Sequence, residues 1–184
     1  MADLGTYDLA VVGAGAAGLW SALRAAEAGG SVVLISRKPL AESASFHAQG
    51  GLAAALDPDD SPEQHFADTI AAGRNLCRNS AVEVLTEAAP GVVHELINRG
   101  MNFDRTADGS LALALEGGHS FRRIIHAGGS QTGREITGAL ARREQAVGRQ
   151  PLGRRRRGLY DVDQRAGGVG DVGVALAPRL VLHR

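Results

Sequence analysis

A glycine motif near the N-terminus, Gly13–Gly18 with the sequence GAGAAG, constrains the fold of this chain more than any other feature. The apolar run Asp8–Val12 precedes the motif, a helical pattern follows it, and Ser31–Ser36 forms a second apolar run. A strand, a glycine loop, a helix and a second strand within about 30 residues predict a right-handed βαβ unit. We expect both strands to be buried on both faces, as in a parallel sheet covered by helices.

The spacing of the three glycines indicates a loop that binds a dinucleotide. Gly13 permits a tight turn, Gly15 lets a pyrophosphate approach the backbone, and Gly18 lets the helix pack closely on the strand. The free N–H groups and the dipole at the helix start favour phosphate. The acid that commonly binds the adenosine ribose is missing after the second strand, where the sequence is Ser36-Arg37-Lys38, so NADP stays an open alternative.

Helix and turn signals continue through the middle of the chain. Pro90 is expected to break or kink a long helix, and Gly100 is expected to end it. Asp108–Gly109 predicts a hairpin turn between Met101–Arg105 and Leu111–Leu115. Three capping boxes predict helix starts, at Ser61-Pro62-Glu63-Gln64, Ser80-Ala81-Val82-Glu83 and Thr132-Gly133-Arg134-Glu135.

The composition limits where such a chain works and what it binds. The 184 residues carry a formal net charge of zero, which gives no support to a nucleic acid or an acidic membrane surface as a partner. Cys77 is the only cysteine, the N-terminus lacks the basic region of a signal peptide, and no apolar run approaches the length of a membrane span. We therefore expect a soluble cytoplasmic α/β protein without a metal site.

The last forty residues differ from the rest of the chain. Residues 145–184 contain the run Arg154–Arg157 and repeated glycines but no Glu and no Lys, and only Val172–Leu176 and Leu180–Leu182 could be strands. We expect an aberrant or disordered tail, and our hypothesis is a shifted reading frame in a GC-rich gene. Resequencing the gene tests it, because a single intact frame would contradict the hypothesis.

Several further segments carry a resemblance that the glycine motif alone does not. VVGAGAAGL is followed in order by SFHAQGGLAAAL, EGGHS at Glu116–Ser120, RRIIHAGG and TGRE, between about Asp8 and Glu144. Together these segments resemble the N-terminal part of the L-aspartate oxidases, which belong to the succinate dehydrogenase/fumarate reductase flavoprotein group. The combination of AQGG and EGGHS at this spacing is the most specific part of the match.

The resemblance implies an incomplete Rossmann-like FAD-binding domain over residues 1–144, of α/β class, with a parallel sheet and flanking helices. Non-covalent FAD is implied, because Ala44 stands where the succinate enzymes carry the histidine that bonds the flavin, and His47 is not its equivalent. Gly50 and Gly51 would let the main chain lie against the flavin. The residues implied to bind FAD are Gly13, Ala14, Gly15, Ala16, Ala17, Gly18, Arg37, Ala44, Ser45, Phe46, His47, Ala48, Gln49, Gly50 and Gly51.

Glu116 is implied to lie beside the α-amino group of L-aspartate, where succinate has no ammonium to offer a carboxylate. The implied reaction is oxidation of L-aspartate to iminoaspartate, the first step of de novo NAD biosynthesis, with oxygen or fumarate as electron acceptor. Family members are about three times as long and supply an essential arginine from later segments, so we expect this chain to be an inactive N-terminal portion. His119, His126 and Arg134 are assigned no catalytic role.

Two other functions stay open beside the aspartate oxidase. One is a flavoprotein of the fumarate reductase or succinate dehydrogenase type, against which Ala44 and Glu116 both argue. The other is a non-catalytic module that binds FAD or NADP, which a glycine loop without a catalytic half favours.

Overall fold

The computed structural model of the chain describes the backbone of residues 6–37, 39–148 and 173–176 and the side chains of 6–37 and 39–142. It divides into a first unit, Met1–His47 with Ile136–Arg184, and a second unit, Ala48–Glu135. The elements in chain order are β1 Leu9–Val12, α1 Ala16–Glu27, β2 Val32–Ser36, a 3-10 turn at Leu40–Glu42, β3 Leu52–Ala53, α2 Pro62–Ala72, α3 Asn79–Asn98, β4 Leu113–Ala114, β5 Ile124–Ile125, α4 Thr132–Gly148 and β6 Gly173–Leu176.

The first unit contains the predicted βαβ arrangement. Strands β1 and β2 are parallel, with Leu9 opposite Val32 and Val12 opposite Ile35, and α1 connects them. Strand β6 pairs with β2 in the antiparallel direction, so the sheet order is β1-β2-β6. The predicted parallel sheet is confirmed for β1 and β2, and β6 agrees with the strand considered at Val172–Leu176.

Helix α1 packs through one apolar stripe. Its buried residues lie at helical spacing, as an amphipathic helix on a sheet requires. Strand β2 provides the central apolar face, since Val32 and Leu34 are both fully buried. The buried residues of α1 are Leu19, Ala22, Leu23 and Ala26.

Strand β1 corrects one expectation. It was predicted to be buried on both faces, but Leu9 is 40% exposed and Val12 is 82% exposed. The reason is that the described elements cover β1 only in part: α1 packs against it, and the strand itself lies at the edge of the described sheet. An edge strand with exposed apolar side chains is a surface that other protein segments can cover.

The second unit is built around a small antiparallel sheet in the order β3-β5-β4. Leu52 of β3 and Leu113 of β4 both stand opposite Ile125, so β5 is the central strand. Its two isoleucines are 3% and 0% exposed. Helices α2 and α3 of this unit pack against each other.

The predicted hairpin at Asp108–Gly109 is confirmed. Arg105 and Leu111 form an antiparallel bridge, and the Thr106 N–H donates to the Ser110 carbonyl at 2.9 Å. Gly109 has a φ of +88°, a left-handed conformation that a residue with a Cβ adopts only at a cost.

The helix starts show which capping signals operate. Ser61 caps α2 as predicted, because its hydroxyl accepts from the Gln64 N–H at 3.2 Å. The boxes at Ser80 and Thr132 were wrong by one or two residues. Helix α3 begins at Asn79 with Arg78 in the cap position. Helix α4 begins at Thr132, whose hydroxyl accepts from the Ala127 N–H at 3.3 Å, outside the helix.

Pro90 does not break α3, which runs from Asn79 to Asn98 and ends before Gly100 as predicted. An interior proline removes one helical hydrogen bond. The packing of the buried stripe holds the helix together on both sides of Pro90, since tertiary contacts supply most helical stability. The stripe consists of Val82, Thr86, Val93 and Leu96.

Of the expected tail, only 145–148 and 173–176 are described, so the prediction for the rest, including Leu180–Leu182, lies outside the described residues. Across the described part of the chain, no helix is long and apolar enough to cross a bilayer.

Gly18 provides a test of the packing between α1 and the glycine loop. A Cβ at Gly18 would overlap the carbonyl oxygen of Gly13. Gly18→Ala is therefore expected to lower the free energy of unfolding by about 2–3 kcal/mol, measured by urea denaturation. Gly91→Ala is the matched control. Position 91 lies inside α3 with open space around it, so the alanine should stabilise by up to about 1 kcal/mol. Equal effects of the two substitutions would contradict this account.

Candidate functional site

The predicted site residues fall into both units. The first unit holds Gly13–Gly18, Arg37 and Ala44–His47, and the second holds Ala48–Gly51 and Glu116. Arg37 and Ala44 are exposed.

The glycine loop of the first unit leads from β1 into the N-terminus of α1. Gly13 has a φ of +109°, and its N–H donates to the Ile35 carbonyl at 2.7 Å, which ties the loop to β2. A Cβ at Gly13 would meet no atom within 4 Å, so the loop is open on that side. The loop thus has the turn and the clear surface that a pyrophosphate requires.

Ser45 contacts the same helix N-terminus. Its hydroxyl oxygen accepts from the Ala16 N–H at 3.1 Å and would lie 3.0 Å from a Cβ at Gly15. The segment around Ser45 is itself held by a turn in which Ser43 Oγ accepts from the Phe46 N–H at 3.2 Å. The structure therefore brings Ser45 together with Gly15 and Ala16, three of the residues predicted to bind FAD.

In the second unit, the AQGG segment, Ala48–Gly51, leads directly into β3. The Ala48 carbonyl accepts from the Gly133 N–H at 2.9 Å, which anchors the start of the segment. Gln49 and Gly50 are exposed, and a Cβ at Gly50 would meet nothing within 4 Å. Gly51 differs, because a Cβ there would lie 2.6 Å from Ile124 Cγ2 and 2.9 Å from His126 Cε1. The protein's own strand β5 accounts for the glycine at 51.

Glu116 is paired with His126. The Glu116 Oε1 and His126 Nε2 atoms are 3.1 Å apart, and the two side chains are 44% and 24% exposed. Glu116 follows β4 and His126 directly follows β5. Sequence reasoning assigned His126 no role, since nothing local indicates a contact across ten residues.

A buried arginine organises the unit that contains Glu116. The side chain of Arg123 is 0% exposed and binds the Asp60 carboxylate through two hydrogen bonds, Nε to Oδ2 at 2.8 Å and Nη2 to Oδ1 at 2.7 Å. Its Nη1 donates to Asp68 Oδ2 at 2.8 Å. The same Nη1 lies 3.4 Å from His119 Nδ1. A bidentate Arg–carboxylate pair of this kind consists of two charge-assisted hydrogen bonds, each stronger than a bond between neutral groups.

Asp68 connects this arginine to the EGGHS segment. Its carboxylate accepts from the Ser120 N–H at 2.7 Å and also from the Ser120 hydroxyl. Partial burial raises the pKa of Asp68, but the hydrogen bonds from Ser120 and the charge of Arg123 outweigh it, so the pKa lies below its ordinary value. Asp68 is therefore ionised at neutral pH and holds the end of the segment that Glu116 begins.

His65 completes the buried cluster. It is 2% exposed, its ring centroid is 5.7 Å from that of His119, and its Nδ1 is buried without a hydrogen-bond partner among the described residues. Burial, and next the positive charge of Arg123, lower the pKa of His65, against the opposing pull of Asp60 and Asp68. A neutral His65 does not compete with Arg123 for the carboxylates of Asp60 and Asp68.

The cluster of Arg123, Asp60, Asp68 and His65 was not predicted from the sequence. The one available signal was the placement of His65 and Asp68 three residues apart, which puts two polar side chains on one face of α2. His119 and Arg134 make structural hydrogen bonds, Arg134 to Gln131 at 3.1 Å.

Comparison with known proteins finds relatives that agree with the resemblance seen in the sequence. The FAD binding domain family matches residues 8–154. An L-aspartate oxidase of Streptomyces coelicolor is 48% identical over 141 residues, which are 77% of this chain and 24% of the relative. One from Mesorhizobium japonicum is 51% identical over 141 residues, covering 74% of this chain and 27% of the relative. The chain thus spans about a quarter of the length of these relatives.

Solved structures show the same fold. The Mycobacterium smegmatis Sdh1 complex in the apo form superposes with a TM-score of 0.73 at 35% identity, covering 77% of this chain and 24% of that one. A quinol-fumarate reductase with menaquinol molecules gives a TM-score of 0.69 at 35% identity, covering 74% and 24%. The fold is that of the succinate dehydrogenase/fumarate reductase flavoproteins, as predicted.

The neighbouring arginines Arg122 and Arg123 test the importance of the buried cluster. Arg123→Gln leaves the Asp60 carboxylate, which is 0% exposed, without its counter-charge, so unfolding should become easier by about 3–5 kcal/mol. Arg122→Gln removes an equal charge from an exposed position and should change stability by less than about 0.5 kcal/mol. Urea denaturation of both variants gives the comparison, and a small loss for Arg123→Gln would show that the cluster is dispensable.

Proposed function

Because the chain belongs to the FAD-binding domain family, we propose that it is the N-terminal, cofactor-binding portion of an enzyme that oxidises L-aspartate to iminoaspartate, the first step of de novo NAD biosynthesis. The observation that carries the proposal is the partly exposed Glu116 carboxylate, which lies 3.1 Å from His126 Nε2 in a chain whose relatives are L-aspartate oxidases.

The first unit fits the pyrophosphate of FAD. The first N–H groups of a helix have no partner within the helix, and at α1 they stand beside a loop with open space at Gly13. We propose that Gly13–Gly18 and Ser45 hold the pyrophosphate and that Arg37 lies near the adenosine. The Ser45 hydroxyl, already hydrogen-bonded to Ala16, would add a polar contact at the same helix end.

The second unit has an open stretch of backbone at Gly50, against which a flat ring could lie. At Gly50 neither a side chain nor a neighbouring atom obstructs approach, and Gln49 beside it is exposed. We propose that Ala48–Gly51 contact the flavin. Gly50 would allow the close approach, and Gly51 packs against β5 and so holds the segment in place. Ala44–His47 complete the proposed FAD contacts. The FAD is non-covalent in this proposal, since Ala44 has no atom that can bond it.

Glu116 recognises the substrate's ammonium group in this proposal. Its carboxylate is accessible, and a carboxylate with an ammonium forms a charge-assisted hydrogen bond. Succinate has the two carboxylates of aspartate but no ammonium, so binding it would leave Glu116 facing a C–H group. Glu116 therefore favours L-aspartate and disfavours succinate.

When bound, FAD supplies the two-electron acceptor for oxidation of the amino acid, and oxygen or fumarate is the proposed final acceptor. The residues of this chain bind the cofactor and orient the amino group. Activity belongs to a protein of the relatives' length, of which this chain covers about a quarter. We propose the cytoplasm as its location.

Two alternatives make different predictions. A fumarate reductase or succinate dehydrogenase would turn over fumarate or succinate, and the fold is compatible with that reading. A non-catalytic module would bind FAD or NADP without any response to L-aspartate. Glu116 favours the aspartate reading over both.

Equilibrium binding to the FAD-loaded chain tests the proposal. L-Aspartate should bind more tightly than succinate, and Glu116→Gln should remove most of this preference, roughly a tenfold change, because the charge that faces the ammonium is lost. Isothermal titration calorimetry with both ligands measures it. Glu87→Gln, which removes an exposed acid from α3, is the charge-matched control and should leave the preference intact.

Equal affinities of the wild-type chain for the two ligands would contradict the aspartate assignment. Tighter binding of succinate would instead support the dehydrogenase alternative.

A further inference from the structure

We propose that His126 is a positioning residue for Glu116, holding one carboxylate oxygen so that the other faces the substrate's ammonium group. The inference rests on the proposed function of Glu116 and extends it to a residue that sequence reasoning left without a role.

The contact between the two side chains is specific. His126 Nε2 lies 3.1 Å from Glu116 Oε1, and Oε2 of the same carboxylate has no hydrogen-bond partner among the described residues. With its proton on Nε2, the imidazole donates to Oε1 and leaves Oε2 as an acceptor. The carboxylate is thus divided between one oxygen bound to the protein and one oxygen open to a ligand.

His126 can act as a fixed support because the structure holds it on three sides. It follows the buried Ile124 and Ile125 of β5. Its carbonyl accepts from the Asp104 N–H at 2.8 Å. Its ring lies against Gly51, where an added Cβ would come within 2.9 Å of Cε1. The last contact places the AQGG segment directly behind the histidine, so one element supports both the proposed flavin contact and the proposed ammonium contact.

Glu116, in contrast, needs a support. It is followed by Gly117 and Gly118, and Leu115 before it is 50% exposed, so its own segment restrains it little. The far end of the segment is anchored where Ser120 binds Asp68, and the Glu116 carbonyl accepts from the His119 N–H at 3.2 Å. These bonds fix the backbone and leave the carboxylate to His126.

The expected consequence is selective. A glutamate that is already ordered loses less side-chain entropy when it binds an ammonium, so affinity rises for ligands that carry this group. A ligand without an ammonium gains nothing from the arrangement. His126 should therefore influence L-aspartate and leave succinate almost unaffected.

Two substitutions that differ by one methylene separate the donor from the rest of the side chain. His126→Gln can place an amide N–H near the position of Nε2, whereas the donor of His126→Asn is too short to reach Glu116. With FAD-loaded protein, calorimetry should show that His126→Asn raises the dissociation constant for L-aspartate about tenfold and that for succinate less than about twofold. His126→Gln should recover most of the loss. His94→Asn, at an exposed position on α3, is the control and should change neither constant.

A double-mutant cycle with Glu116→Gln shows whether His126 acts through Glu116. In that background, His126→Asn should have no further effect on the binding of L-aspartate. An undiminished effect, or equal losses for L-aspartate and succinate, would overturn the positioning role. If the wild-type chain prefers L-aspartate and His126→Asn binds it equally well, only the role of His126 is refuted. If the wild-type chain shows no preference, the proposed function fails first and this inference fails with it.

Discussion

The second unit depends on one buried cation, Arg123. Its guanidinium has no exposure and is neutralised by Asp60 and Asp68, while its backbone N–H and carbonyl bond to Ala114 and Ala54 on the two sides of the small sheet. A buried charge is costly to place in a protein interior unless hydrogen bonds and counter-charges satisfy it. Because Arg123 is satisfied only when α2, β5 and the EGGHS segment are in place together, it imposes their arrangement.

That arrangement determines where the candidate site residues lie within the second unit. Strand β5 separates β3, which continues the AQGG segment, from β4, which leads to Glu116. Arg123 immediately precedes β5 and His126 immediately follows it, so a strand of two residues carries the structural cation at one end and the partner of Glu116 at the other. The two glycines of AQGG then have separate uses, since Gly51 makes room for β5 and Gly50 keeps an open surface.

The parts of the fold that were predictable are those encoded by local sequence. The βαβ unit, the Ser61 cap and the turn at Asp108–Gly109 each follow from a few adjacent residues. The sheet of the second unit was not predicted, because strands of two residues have no period to detect. The burial of β1 was wrong because burial depends on which elements lie next to a strand.

The candidate site, too, was predictable where local motifs encode it and not where it depends on contacts between distant residues. The glycine loop and the AQGG and EGGHS segments were found from their motifs, and the family of the chain confirms FAD as the cofactor. The partners of Arg123 are 63 and 55 residues away in the sequence, and no local pattern joins them. The pairing of His126 with Glu116 depends on the way β4, β5 and the loop between them fold back.

In the proposed function, this chain binds FAD without a covalent bond, partly through the open backbone surface at Gly50. Fluorescence titration of the purified chain with FAD, followed by acid precipitation, measures both the binding and the absence of a covalent bond. We expect saturable binding, with all flavin released into the supernatant, and a loss of binding in Gly50→Val at unchanged thermal stability. Flavin that stays with the precipitate, or undiminished binding by Gly50→Val, would contradict it.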